Sequence, residues 1–222
     1  IQAVAAGQKH TCVLSGGKVY CWGSNSGSQL GNSSAIINSP TNLVKSTDTS
    51  SPSNKDASGN LINVQSIDAG YSHTCAIASG RVYCWGSNDY LQLALTNQTP
   101  LPVAGDPVTG LIGASAIATG AYHTCAIVGE TSPSIKGGVV KCWGSNEQGQ
   151  LGATTTNTCN VAGMANPQKC SSSPVTAIAS GAVAIAAGDY HTCAIVVESN
   201  NHVMKRWGQG TAGQLGNGGT SN

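Results

Sequence analysis

The stretch HTCVLSGGKVYCWGSN, His10 to Asn25, decides the fold. Two cysteines, Cys12 and Cys21, flank a segment with Gly16-Gly17 at its middle. If the cysteines oppose each other in an antiparallel hairpin, counting inward from both places the turn at Gly16-Gly17. Gly-Gly suits a two-residue hairpin turn because both residues take positive φ without penalty. Directly opposed residues of such a pair have Cα atoms about 4.5–5.5 Å apart, within disulfide range.

The block recurs. All four tryptophans, Trp22, Trp85, Trp143 and Trp207, lie in one context: CWGSNSGSQLG, CWGSNDYLQLA, CWGSNEQGQLG and RWGQGTAGQLG. Upstream of each stands a second shared segment: IQAVAAGQKHTC, VQSIDAGYSHTC, ASAIATGAYHTC and AVAIAAGDYHTC. Self-similarity at about 50 residues marks a repeat protein. The units divide as residues 1–63, 64–113, 114–181 and 182–222, read together as a single propeller-type domain over 1–222. Within a unit, short runs rich in β-formers are separated by turn residues, and helical periodicity is absent. The fold class is all-β. Asn42–Asn60 and Thr154–Ser173, rich in Ser, Thr, Asn and Pro, read as surface loops.

The same counting pairs Cys75 with Cys84 around Ser79-Gly80. Cys125 and Cys142 enclose a longer version holding Pro133 and Gly137-Gly138. Cys159 and Cys170 are expected to close a fourth disulfide across a long loop. Cys193 faces Arg206 around Ser199-Asn200 and is expected to be a free thiol.

Other chemistry is disfavoured. Eight residues separate the first two cysteines and no Cys-x-x-Cys occurs, so neither zinc ligation nor a thioredoxin-type redox role is indicated. His10, His73, His123 and His191 each stand two before a cysteine. A nucleophile is not installed once per repeat, so these histidines read as structural, hydrogen-bonding backbone of a neighbouring unit. His202, near a turn, reads as solvated. The nine carboxylates, Glu130 among them, are scattered and form no recurring pair. No phosphate-cradling glycine loop or calcium loop is present, and no cofactor is expected.

Charged residues make up 9% of the 222 residues and the net charge is +1, against roughly 25% charged in ordinary proteins. Without a run of Lys or Arg, capture of nucleic acid or an anionic membrane is unsupported. No apolar run approaches the roughly 20 residues of a membrane helix. No signal-peptide pattern stands at the start, and Ile1 reads as the first residue of a processed product or fragment. Asn32 (NSS) and Asn97 (NQT) match the glycosylation pattern, which a chain this rich in Asn, Ser and Thr also produces by chance.

The combined pattern Gly-x-x-His-Thr, Val-Tyr-x-Trp-Gly-x-Asn and Gly-Gln-Leu-Gly resembles the RCC1 repeat across all four units. The resemblance implies a β-propeller in which each repeat supplies a four-stranded blade, commonly seven to a ring. Four blades here imply a small ring, part of a larger one, or an assembly through open blade edges. The namesake of the family is a nuclear nucleotide-exchange factor that binds a small GTPase and chromatin. Paired cysteines point instead to an oxidising compartment, and the chain is closer in character to secreted bacterial members, which act by binding protein. The expected function is a secreted or cell-surface structural or protein-binding module, non-catalytic, assembling into oligomers or extracellular filaments, with glycans as further candidate ligands. A propeller hydrolase with a central carboxylate site and a nucleotide-exchange propeller are the alternatives.

Overall fold

Burial alternates residue by residue in some strands and is continuous in others, and that difference orders the blades. The structure is a computed structural model and describes residues 1–32, 38–40, 43–129 and 137–221. Blade one holds β1 (Ala3–Ala6), β2 (His10–Ser15) and β3 (Lys18–Gly23), and blade two holds β4 (Val64–Ala69), β5 (His73–Ala78) and β6 (Arg81–Gly86). Then follow β7 (Ala114–Thr119), β8 (His123–Val128), β9 (Gly138–Ser145), β10 (Thr158–Cys159), β11 (Gln168–Ala187), β12 (His191–Glu198) and β13 (Asn201–Gly208). The described residues hold no α-helix, only a 3-10 turn at Pro52–Asn54.

In β2, His10, Cys12 and Leu14 are buried while their neighbours are half-exposed. In β5 and β8 every residue is buried. A strand with one covered face alternates, and a strand sandwiched between two sheets does not. Blades two and three are thus covered on both faces. Alanines such as Ala76 and Ala126, both 0% exposed, permit the close approach.

Each central hairpin has the register counted from the sequence. Cys12 faces Cys21, Cys75 faces Cys84, Cys125 faces Cys142 and Cys193 faces Arg206. Gly16-Gly17, Ser79-Gly80 and Ser199-Asn200 all take positive φ, as a tight hairpin requires. The three opposed cysteine pairs are disulfides with Cα–Cα of 4.1 Å. Cys159 and Cys170 form a fourth, and Cys193 is free. Pro133 and Glu130 lie outside the described residues, as do the Ser33 and Ser34 that follow Asn32.

The outer strands differ from blade to blade. In blades one and two they shrink to bridges, Tyr20 with Leu43, Arg81 with Ile112 and Gly86 with Leu101. In blade three the outer strand is β11, which pairs with β9 through Cys170–Ala182 and then with β12 through Ala182–Ala187. The division between residues 181 and 182 therefore falls inside one continuous strand of 20 residues, bent by bulges.

Both segments expected to be surface loops carry structure. Thr154–Ser173 contains β10 and the start of β11. The longer insertion before β4 is anchored by Asp48, 0% exposed. It accepts Tyr83 Oη–H at 2.7 Å and the Ser50 and Ser51 amides at 2.7 and 3.0 Å. A buried carboxylate is tolerable when its lone pairs are filled in this way.

Candidate binding surfaces

The recurring motif residues meet at the interfaces between blades. His10 Nε2 lies 2.8 Å from Thr74 Oγ1 of the next blade. Thr74 Oγ1–H donates to the main-chain carbonyl of Gln29 at 3.0 Å, and Trp85 Nε1–H donates to that carbonyl at 2.9 Å. The set repeats as His73, Thr124, Gln92 and Trp143, with distances of 3.0, 3.1 and 2.9 Å. It repeats again as His123, Thr192, Gln150 and Trp207, at 2.9 Å throughout. Each glutamine holds its own turn as well: Gln29, Gln92 and Gln150 accept through Oε1 from the amide two residues earlier. The histidine partner is thus a threonine hydroxyl of the neighbouring blade, where backbone was expected. A threonine relays what a backbone group would receive directly.

Donor inventory fixes the protonation state. A threonine has one O–H, and it goes to the glutamine carbonyl, so its oxygen accepts from the histidine Nε2–H. The imidazole is neutral, and Nδ1 of His10, His73 and His123 is buried without a partner. A proton added there would be a charge out of reach of water. Burial accordingly pushes the His10 pKa down to about 4. His73 and His123 fall to about 3, first through burial and then through neighbouring histidines.

A glycine sits over each imidazole. A Cβ on Gly120 would stand 2.1 Å from His123 Cε1 and 2.6 Å from the Gly188 carbonyl oxygen of the next blade. Neither neighbour can retreat, since His123 is fully buried. Gly120→Ala is expected to cost about 3 kcal/mol, the upper end of overpacking. Gly149→Ala, with positive φ but open space around it, should cost nearer 1 kcal/mol. Urea denaturation of the two variants checks the ranking.

The two outer blades each show one half of this interface. Blade one presents Thr11 and Trp22, both half-buried, at the positions that bond the preceding blade elsewhere. Blade four presents His191, Gln214 and Cys193, also half-buried, at the positions that receive the following blade. Cys75 and Cys125 touch the next blade's threonine at 3.9 Å, so Cys193 occupies the matching place on this surface.

A second surface was missed in the sequence. Tyr71, Tyr122 and Tyr190 stand one or two residues before a motif histidine, and Tyr90 lies in the turn after Trp85. Their rings gather around Tyr122, with centroids 5.3 Å away for Tyr71, 4.5 Å for Tyr90 and 6.3 Å for Tyr190. The cue was available: six tyrosines in a chain without phenylalanine, three of them beside the same motif. Tyr90, Tyr122 and Tyr190 line a cavity of about 230 Å³ with Met164, Glu147 and neighbouring glutamines. Met164 belongs to the loop closed by Cys159–Cys170, which packs on Leu91 and Tyr90. The Tyr122 hydroxyl is pushed up to about 12, by burial first and then by neighbouring tyrosines and Asp189. It stays a neutral phenol at ordinary pH.

A larger cavity of about 520 Å³ lies where the inner strands end, with Asp68 and Asp189 among its lining. Burial pushes the Asp68 carboxyl up. Its oxygens accept the Ala69 and Thr119 amides at 3.0 and 2.7 Å, tying blade two to blade three. A carboxyl spent on main-chain donors is poorly placed as a general acid. Among the described residues no cluster of three metal-ligating side chains occurs. His202 is exposed beside its turn, and Asn97 is exposed.

Comparison with known proteins agrees with this geometry. The family described as Regulator of chromosome condensation (RCC1) repeat matches residues 16–77, 79–127 and 138–195. A second description of the repeat matches 1–29 and 64–92. The chain is 28% identical over 228 residues to the human Probable E3 ubiquitin-protein ligase HERC4, covering 100% of the chain and 18% of that protein. It is 28% identical over 220 residues to the Ultraviolet-B receptor UVR8 of Arabidopsis thaliana, covering 96% and 42%. Among solved structures, Prp20p of Saccharomyces cerevisiae superposes with a TM-score of 0.72 at 18% identity, covering 99% of this chain and 48% of that one. Human WBSCR16 superposes with a TM-score of 0.67 at 19% identity, covering 94% and 47%. The chain spans less than half the length of each of these proteins. With the repeat matched over most of its length and the motif residues bonded blade to blade, the chain belongs to the RCC1-repeat family of β-propellers.

Proposed function

We propose that residues 1–222 work as one non-catalytic, secreted or surface-displayed propeller unit that binds protein, and that its outer blade surfaces join copies of the chain. The carrying observation is the interface that occurs three times inside the chain and whose two halves, Thr11 with Trp22 and His191 with Gln214, are both presented outward. Matching but different halves make a heterologous contact, which builds a closed ring or an open filament according to its rotation. Four disulfides favour an oxidising setting outside the cell. Among the described residues no helix is long and apolar enough to cross a membrane. Protein binding also suits the family: Kap60 has been seen bound to yeast Prp20, and Prp20p has described binding properties to Gsp1p and histones. The glycosylation of Asn32 and Asn97 and the structural role of the motif histidines are part of the same proposal.

Sedimentation over a concentration series tests the assembly. The chain is expected to associate progressively. Thr11→Arg blocks one half and Cys193→Arg the other, so each variant alone should stay monomeric while their mixture forms dimers. A wild-type chain that remains monomeric, or variants that associate like wild type, would sink the assembly reading.

A further inference from the structure

We infer that the tyrosine-lined cavity is a binding cup for the cationic side chain, lysine or arginine, of a basic protein segment. The inference rests on the reading of the chain as a protein-binding module and names the chemistry of one partner. The rings of Tyr71, Tyr90 and Tyr190 are tilted 37°, 33° and 44° against Tyr122. Tyr90, Tyr122 and Tyr190 supply the aromatic part of the cavity's lining and Tyr71 lines the adjoining hollow, so the rings do not share one plane, where a sugar would want one flat, open ring face. At about 230 Å³ the cavity is smaller than the roughly 300–1,000 Å³ of drug-sized sites and suits a single head group.

Charge selects the occupant. Glu147 lines the cavity itself, and Asp89 lines the adjoining hollow with Tyr71, Tyr90 and Tyr122. Asp189 acts electrostatically on Tyr122. No lysine, arginine or histidine lines either hollow. Among the described residues none of the three carboxylates is in an ion pair; the two pairs present are Lys18–Asp56 and Lys205–Glu198. Glu147 accepts the Lys169 amide and Asp89 the Ser87 hydroxyl at 2.8 Å, neutral donors that orient the carboxylates without cancelling their charge; Lys169 itself lines a separate hollow with Glu147. Ring faces beside carboxylates outside any ion pair attract ammonium and guanidinium groups, through the ring quadrupole and through direct charge. The wall is held from behind. Cys159–Cys170 closes the loop bearing Met164, and Gln98 Nε2–H donates to the Asn160 carbonyl at 2.9 Å, fastening that loop to blade two. A fixed wall reduces the ordering cost of binding.

The test is a titration of the intact chain carrying ring-labelled tyrosine, followed by NMR. The probes are a Gly/Ser-flanked lysine peptide, its arginine counterpart, the neutral acetyl-lysine and citrulline versions, and a neutral trisaccharide. The expected result is that the cationic peptides shift the Tyr90, Tyr122 and Tyr190 ring signals, and that neutralising the head group weakens binding about tenfold, or 1.4 kcal/mol. Glu147→Gln combined with Asp189→Asn should weaken binding several-fold while the free-state spectrum stays folded. Equal response to charged and neutral peptides, response to the trisaccharide instead, or indifference to the double carboxamide variant would each overturn the cup. If the rings do not respond while the chain still self-associates, the cup alone fails; if they respond in a chain that stays monomeric, the assembly reading alone fails.

Discussion

Acidification from pH 7 to about pH 4.5 is expected to remove most of the stability of the folded chain with every disulfide intact. His73 and His123 have pKa values near 3 in the fold and His10 near 4, against 6.5 in the unfolded chain. The folded values are depressed, so the unfolded state binds the extra protons. The contribution of these groups is complete above about pH 6.5 and drains as pH falls, toward about 4 for His10 and about 3 for His73 and His123. At pH 4.5 each histidine costs the fold about 2–3 kcal/mol. Three together approach the whole stability of an ordinary domain, about 5–15 kcal/mol. Asp68, whose pKa burial raises, works against this trend. Asp56 is held down to about 2 by hydrogen bonds from Asn60 and loses its contribution only at lower pH. Urea midpoints measured at several pH values check the expectation. His123→Gln keeps an N–H donor and does not titrate, so it should lower stability at pH 7 and flatten the slope by about one third. A midpoint indifferent to pH between 6.5 and 4.5 would contradict the neutral, Nε2-protonated assignment.

The second large effect depends on which copy of the tryptophan is changed. Trp143 is 0% exposed, bonded to the Gln92 carbonyl, and packed among Leu93, Val108, Leu111 and its blade neighbours. Trp143→Ala is expected to cost about 3–5 kcal/mol through lost burial and the cavity left behind. Trp143→Phe removes the N–H but keeps much of the ring, and should cost nearer 1–2 kcal/mol. Trp22 occupies the same repeat position but is only half-buried on blade one's outer surface. Trp22→Ala should cost about 1 kcal/mol in dilute solution. Denaturation at low protein concentration reads all three, and equal losses at Trp22 and Trp143 would show that blade one's outer face is already covered.

The hairpins were legible because their constraint is local. Two cysteines, a turn able to take positive φ and a strand of fixed period leave one register, which is why Cys12–Cys21 and Gly16-Gly17 could be placed by counting. The relay between His73, Thr124 and Gln92 was half legible. The motif announced that each residue matters, but the partners are 51 and 32 residues apart and meet only once blades stack. The tyrosine cup was overlooked for a related reason. Tyr122 and Tyr190 share a repeat position, but Tyr71 stands one place earlier and Tyr90 lies in a different turn, so no single column of the repeat shows the four together. Asp48 looked like one carboxylate in a polar loop, and nothing nearby in sequence pointed to Tyr83, 35 residues away.

Strand β11 also limits how the arc of blades can deform. Its 20 residues lead from the rim of blade three into the inner edge of blade four, and bulges shorten the path, since Cys170–Ala182 lies opposite only the eight residues of β9. Most propeller blades are joined by a loop that can act as a joint; here the joint is itself a hydrogen-bonded strand. Tension along the chain at this point would load β9 and β12 in shear, many bonds at once, instead of peeling them one by one. Blades three and four are therefore expected to move together more closely than the earlier pairs, which no single strand joins.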